Sequence, residues 1–168
     1  FTGSTQVGKL IQKSLAGRDV GLTLELGGKA ANIVYEDAAI DQAVEGVVNG
    51  IFFNQGHVCC AGSRLLLQES IHDEFITKLE KRMQTLRVGN PLDKNTDIGA
   101  VNSKEQLNKI EELVNEGVSD GGKIFQTECE LPGNGFWFKP TLFTDVQPSY
   151  SIAREEIFGP VLTTLTFR

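Results

Sequence analysis

The chain has 168 residues, of which 40% are hydrophobic and 23% charged, and a net charge of −6. That composition suits a globular α/β or similar domain and excludes a disordered or fibrous chain. The acidic balance is unsuited to nucleic acid or to an anionic lipid surface, and no apolar run approaches the ~20 residues that a membrane-crossing helix needs. The opening "FTGSTQVGKL" lacks the basic start and apolar stretch of a secretory leader. The chain starts at Phe1 and closes on "LTTLTFR", which reads as the middle of a strand, so an internal segment of a longer polypeptide is expected. Three cysteines, an odd number without a leader, predict a reducing compartment, the cytoplasm, and no disulfide framework.

In chain order, "FTGS" reads as a strand end turning into a helix, with Ser4 as N-cap of "TQVGKLIQKSLA" and Gly17 ending it. "VGLTLEL" alternates and predicts a strand, "GGK" breaks it, and "AANIVYE" predicts a second. Asp37 or Asp41 then opens a helix through "QAVEGVVNGIFFNQG". "SRLLLQE" predicts a strand. "SIHDEFITKLEKRMQTLRVG" predicts an amphipathic helix, with Ile71, Phe75, Leu79, Met83 and Leu86 at spacings of three and four. After the turn-rich loop "NPLDKNTDIGAVN", Ser103 caps a helix over "SKEQLNKIEELVNEGVSDGG", with Gln106 completing a capping box. "KIFQ", "WFKPTLFTDV" and "GPVLTTLTF" predict three further strands. Strand and helix alternate, which implies βαβ units and a mainly parallel sheet covered on both faces.

Cys59 and Cys60 stand side by side in "FFNQGHVCCAGSR". Free cysteine is often interior packing. A metal site would draw on His57, Cys59 and Cys60, yet no second cysteine or histidine cluster lies near, and no metal is assigned. A disulfide between neighbours is strained. A nucleophile needs a helix end or glycine-rich turn and a base elsewhere, and Asn54, Gln55, Gly56 and Gly62 supply such a turn.

"FTGSTQVGK", "LTLELGGKAANIVYEDAAIDQAV", "FFNQGHVCCAGSRLLLQESIHDEF" and "EEIFGPV" resemble, in this order and spacing, the NAD(P)-dependent aldehyde dehydrogenase superfamily. The resemblance runs over essentially the whole chain. Finer details resemble the subgroup whose members carry two dehydrogenase-like units. It implies that residues 1–26 are the last part of a Rossmann-like cofactor domain. Residues 27–168 would be an incomplete parallel-sheet catalytic domain, truncated at both ends. It also implies NAD as cofactor, with NADP left open, an aldehyde as substrate, and a homo-oligomeric whole protein.

Residue by residue, the resemblance makes Cys59 the nucleophile and Cys60 a structural neighbour. A thiolate adds to an aldehyde to give a thiohemiacetal, whose oxyanion needs donors. Loss of hydride leaves a thioester, and Glu25 in "LTLELGG" matches the family's general base for its hydrolysis. On its own, a strand glutamate is more often a solvated side chain. Gly3 and Ser4 in "FTGST" match residues that face the dinucleotide phosphates at a helix N-terminus, with Val7 near the adenine. Leu26 and Gly27 would lie against the nicotinamide; Glu156 would hold ribose hydroxyls and Phe158 pack on the nicotinamide. Lys29, Asn54 and Arg64 are expected to be structural. His57 replaces a glutamine common there and either tunes Cys59 or points away from it. The family's second oxyanion donor, an asparagine, and the earlier strands of its cofactor domain would precede Phe1, so with half of the NAD site missing these 168 residues alone are expected to be inactive. A catalytically silent scaffold of the same fold is the alternative, against which the intact Cys59 and Glu25 weigh.

Overall fold

The computed structural model describes residues 1–168. Its centre is a five-stranded sheet built from β1 (Ala31–Val34), β2 (Arg64–Gln68), β3 (Lys123–Gln126), β4 (Thr141–Thr144) and β5 (Val161–Phe167), in spatial order β1-β2-β5-β4-β3. β1, β2, β5 and β4 run parallel, and only the edge strand β3 pairs antiparallel, with β4. β2 and β5 are neighbours although about a hundred residues separate them, so the crossover carries most of the chain. The helices are α1 (Thr5–Leu15), α2 (Ile40–Phe52), α3 (His72–Met83), α4 (Lys104–Ser119) and the short α5 (Ser151–Arg154). None is long and apolar enough to cross a membrane.

Two apolar cores cover the two faces of this sheet. On α2, Val44, Val47, Val48 and Ile51 fall at helical spacing and meet Phe75, Leu79 and Met83 of α3 over Leu65, Leu67, Leu142 and Leu162. The second core joins Leu107, Ile110, Leu113 and Val114 of α4 to Phe143, Val161, Ile152 and Ile157. Phe75, Leu79 and Met83 are fully buried, as the heptad-like spacing of their helix predicts. At the rim, Lys78 Nζ reaches Asp41 Oδ1 at 2.7 Å and Arg82 Nε reaches Glu45 Oε1 at 2.6 Å, tying α3 to α2 across solvent.

Four local expectations differ from the fold. "VGLTLEL" forms no strand; only Glu25 pairs, in a single parallel bridge to Thr2, and Val20 and Leu22 stay exposed. A strand needs a partner along its length, and this segment has one for a single residue. "WFKPTLFTDV" pairs only over Thr141–Thr144, because Pro140 has no N–H to give a ladder. α2 is preceded by Ala39 rather than by a capping aspartate, and Asp41 lies in its first turn, bonded to Lys78. It also stops at Phe52, and the chain turns left-handed at Asn54 (φ 49°) and Gln55 (φ 47°). Ser103 caps α4 as expected, its Oγ accepting from Gln106 N–H, but the Gln106 side chain leaves the cap for another partner.

Two contacts join the sheet to the loops above it. Gly56 (φ 76°) packs on the loop before β5, where a Cβ would lie 2.1 Å from the Gly159 carbonyl oxygen. Lys29, just before β1, donates through Nζ to Ser63 Oγ at 3.3 Å. Burial, then the Arg64 charge, push this ammonium down to about 8 from 10.5, while Glu156 opposes the fall. The unfolded chain therefore keeps a proton that the folded one releases between about pH 8 and 10.5, and this residue's contribution to stability rises with pH across that window. Lys29→Met is expected to be more stable than wild type near neutral pH, by up to about 3 kcal/mol, and to lose that advantage by about pH 10.5. Urea unfolding at several pH values measures the difference. Gly56→Ala, strained in φ and blocked by backbone, is expected to cost at least about 2 kcal/mol in the same assay.

Candidate active site

The sequence after α2 folds into a double turn that carries both cysteines outward. Asn54, Gln55 and Gly56 are all left-handed, and Asn54 Nδ2 donates to the His57 carbonyl at 3.2 Å while His57 N–H donates back to Asn54 O at 3.0 Å. Asparagine and glycine tolerate this region; Gln55 holds it at a cost of about 1 kcal/mol. Ala61 N–H then bonds to Val58 O at 3.0 Å, placing Cys59 and Cys60 at the two central positions of a turn, both exposed. Buried Ala61, Gly62 and Ser63 anchor its far side, with Gly62 N–H bonded to Gly50 O. The backbone N–H of Cys59 donates to no carbonyl, so a donor sits beside its own thiol.

Glu25 is pinned through its backbone. Its N–H donates to Phe1 O at 2.9 Å, and its carbonyl accepts from Gly3 N–H at 3.0 Å. Its carboxylate has no hydrogen-bond or ion-pair partner and faces solvent. Glu156, on the loop between α5 and β5, likewise keeps a carboxylate without a cation within bonding distance. Gly27 lets it approach: a Cβ there would stand 2.6 Å from Glu156 Oε2. Phe158 on the same loop has φ 56°, a conformation unusual for a bulky residue.

These pieces share one cleft of about 350 Å³. Thr2, Gly3 and Ser4 line one side, Glu25, Leu26 and Gly27 the next, then Cys59, Glu156 and Phe158, with Gln106 and Lys109 of α4 opposite. Eight of the nine residues singled out from the sequence thus meet. The ninth, Val7, lies outside on the first turn of α1, 42% exposed. Behind Cys59 a small cavity continues past Val58 and Ser63 to Gly159. On the other side of Gly27 a depression of about 300 Å³ runs over the N-terminus of α1, where Ser4 Oγ accepts from Val7 N–H at 3.3 Å, and is edged by Lys109 and Arg154. A larger hollow of about 630 Å³ beside α4 and α5 is lined by polar residues alone and contains none of the site residues.

His57 does not bond to Cys59. Its ring packs edge-on against Phe158, centroids 5.4 Å apart, and burial holds its pKa below the ordinary histidine value against an opposing backbone hydrogen bond at Asn54. It is therefore neutral at neutral pH and bears on the cleft through the Phe158 ring. Cys60 shares the turn without lining the cleft. Gln106 and Lys109 were not singled out by the sequence: Gln106 reads locally as half of a capping box, and Lys109 as one more exposed helix lysine. Their spacing of three on one helix face is the only local trace of a joint role.

The aldehyde dehydrogenase family matches residues 1–168. Retinal dehydrogenase 2 of Taeniopygia guttata is 49% identical over 173 residues, covering 100% of this chain and 33% of that protein. Cytosolic 10-formyltetrahydrofolate dehydrogenase of Xenopus laevis is 44% identical, over 99% of this chain and 19% of its own. Among solved structures, the NAD-dependent aldehyde dehydrogenase of Sinorhizobium meliloti superposes with a TM-score of 0.95 at 41% identity, covering 100% of this chain and 34% of that one. Betaine aldehyde dehydrogenase of Staphylococcus aureus in complex with NAD+ superposes at 0.94 with 39% identity and the same coverage. The chain spans about a third of the length of the retinal dehydrogenases it matches. With the cysteine turn, the E-L-G-G segment and the E-E-I-F-G-P loop meeting in one cleft, and a match that runs from the first residue to the last, the chain belongs to the aldehyde dehydrogenase family.

Proposed function

We propose that this chain is the cysteine-bearing part of an enzyme that oxidises aldehydes to carboxylic acids with NAD. The observation that carries the reading is the convergence of an exposed thiol at Cys59, an unpaired carboxylate at Glu25 and a free Cys59 N–H on one cleft. Residues 1–26 are assigned to the cofactor-binding domain and 27–168 to the catalytic domain; α1 lies outside the five-stranded sheet, which supports the division.

The dinucleotide fits the residues present. The N-terminus of α1, beside Gly3, offers the N–H groups of Ser4, Thr5 and Gln6 and a positive dipole end to phosphates, while Gly3 N–H stays on Glu25 O. Leu26 and Gly27 form a wall that a side chain at 27 would fill. Glu156 has acceptor oxygens free for ribose hydroxyls, and Phe158 offers a flat apolar face. Val7 is assigned to the adenine side. When bound, NAD supplies a hydride acceptor. Cys59 adds to the aldehyde carbon through sulfur, and the new oxyanion is held by the Cys59 N–H. Once the adduct has been oxidised to a thioester, Glu25 takes a proton from water, the water oxygen attacks the acyl carbon and the thiolate leaves.

The free thiols suit a reducing, cytoplasmic setting. β1 is an edge strand with Ile33 and Tyr35 exposed, which supports a homo-oligomer of the whole protein. In the full-length protein, Cys59→Ser is expected to lower aldehyde oxidation by at least about 10³-fold, measured as NADH formation. Glu25→Gln is expected to leave one burst of NADH per active site and to slow later turnovers by about 10²-fold or more. Equal loss of burst and steady state in that variant would count against Glu25 as the base for deacylation.

A further inference from the structure

The cysteine turn meets the loop before β5 at two adjacent points. Main chain meets main chain at Gly56, where a Cβ would stand 2.1 Å from the Gly159 carbonyl oxygen. One residue along each chain, the His57 ring meets the Phe158 ring edge-on, with centroids 5.4 Å apart and planes at 71°. Phe158 lines the cleft on one side and the small cavity behind Cys59 on the other. Its φ of 56° is one that a bulky residue abandons unless its surroundings hold it.

His57 backs that ring at a polar cost. Its nitrogens Nδ1 and Nε2 are both buried, and neither makes a hydrogen bond of good geometry. A neutral imidazole carries one N–H and one acceptor nitrogen; an imidazolium carries two N–H donors and a charge. The packed ring therefore tolerates the neutral form and resists protonation. No neighbouring charge relieves this. Cys59 and Cys60 follow on the same turn, Glu155 and Glu156 precede Phe158 on the facing loop, Glu25 and Lys109 line the cleft, and none bonds to the imidazole. Lys29 donates to Ser63, Arg64 to the Lys29 carbonyl, and Asp97 accepts from Arg87 N–H. Burial holds the packed ring below the 6.5 of a solvated histidine, outweighing the Asn54 backbone, which pulls the other way. A released ring thus binds protons first. The packed state is fully favoured above about pH 6.5 and loses ground as pH falls below it.

We propose that His57 is a positioning residue: its neutral ring wedges Phe158 into the wall of the cleft, and protonation of the ring releases the wedge, so that acid weakens the hold on the cofactor. That Phe158 meets the cofactor rests on the dehydrogenase reading; the wedge itself does not. Glutamine, which histidine replaces here, does not titrate, so the acid sensitivity belongs to the histidine. Leucine fills space without a titrating group, and alanine leaves the Phe158 ring unbacked.

The test uses the full-length protein with His57→Gln, His57→Leu and His57→Ala, between about pH 5.5 and 8, wherever circular dichroism shows the fold intact. Calorimetry in buffers of different ionisation heat measures NAD affinity and the protons exchanged on binding. Wild type is expected to bind NAD about 3-fold or more weakly at about pH 5.5 than at about 7.5, and to release protons on binding below about pH 6.5. His57→Gln and His57→Leu should lose both the slope and the proton release. His57→Ala should bind weakly at either pH. Independently of NAD, hydrogen exchange of the peptide spanning residues 156–161, corrected for the intrinsic rate, should show wild-type protection falling about 3-fold or more over the same range, and that of His57→Gln holding. The same pH course of affinity and protection in wild type and His57→Gln overturns the wedge. Protection that follows His57 while NAD affinity does not overturns its link to the cofactor. A wild type that binds no NAD at about pH 7.5 overturns the cofactor reading instead, and the exchange data then decide the wedge by themselves.

Discussion

The site depends on one close approach of main chain to main chain. The turn at Gly56 lies so near the Gly159 carbonyl that not even a methyl group fits between them. That contact sets the distance between the loop that carries Cys59 and the loop that carries Glu156 and Phe158. Both loops are fixed at their far ends by the sheet, because Ser63 O accepts from Thr163 N–H at 3.0 Å and from Thr163 Oγ1 at 3.2 Å at the start of the β2–β5 ladder. Adjacent parallel strands thus deliver two loops to the same end of the sheet, and the missing side chain at Gly56 lets them touch. The cleft thus lies at the amino ends of β1, β2 and β5, opposite to the carboxyl-end position usual for clefts of open parallel sheets.

Charge in the cleft is left deliberately unspent. Exposed ion pairs occur on α2, α3 and β3, where they are worth little each. Inside the cleft, Glu25 and Glu156 have no cation within bonding distance. The nearby cations are engaged elsewhere: Lys109 on a backbone carbonyl, Lys29 on Ser63, Arg64 on the Lys29 carbonyl at 3.1 Å. Two carboxylates without internal partners leave acceptor oxygens open to a proton or to the hydroxyl groups of a ligand. The depressed Lys29 is the matching cost on the other side, a charge held where burial and Arg64 both disfavour it.

Much of this was legible in the chain itself, for physical reasons that differ by residue. The stripe Phe75, Leu79, Met83 specifies a helix and its buried face without any partner being known, since helical spacing alone aligns them. Ser103 announces the start of α4 because a cap is a local bond. Cys59 and Glu25 stood out because their motifs are local too. Other features depend on distant neighbours. "VGLTLEL" has the composition of a strand, yet it pairs only at Glu25, because ladder bonds come from elsewhere in the chain. The left-handed Gln55 and Phe158 carry no signal, since each is held by its surroundings against its own preference.

The sequence by itself determined the parallel α/β class, the helical faces, the cysteine turn and the family resemblance, because periodicity, caps and turn chemistry act over a few residues. Tertiary structure alone decided that Cys59, Glu25, Glu156 and Phe158 open onto one cleft, that Val7 does not, and that the Gln106 side chain leaves its cap to hold a loop some fifty residues away. Those outcomes follow from strand order and from which loops the sheet brings to one end, and no run of neighbouring residues encodes either.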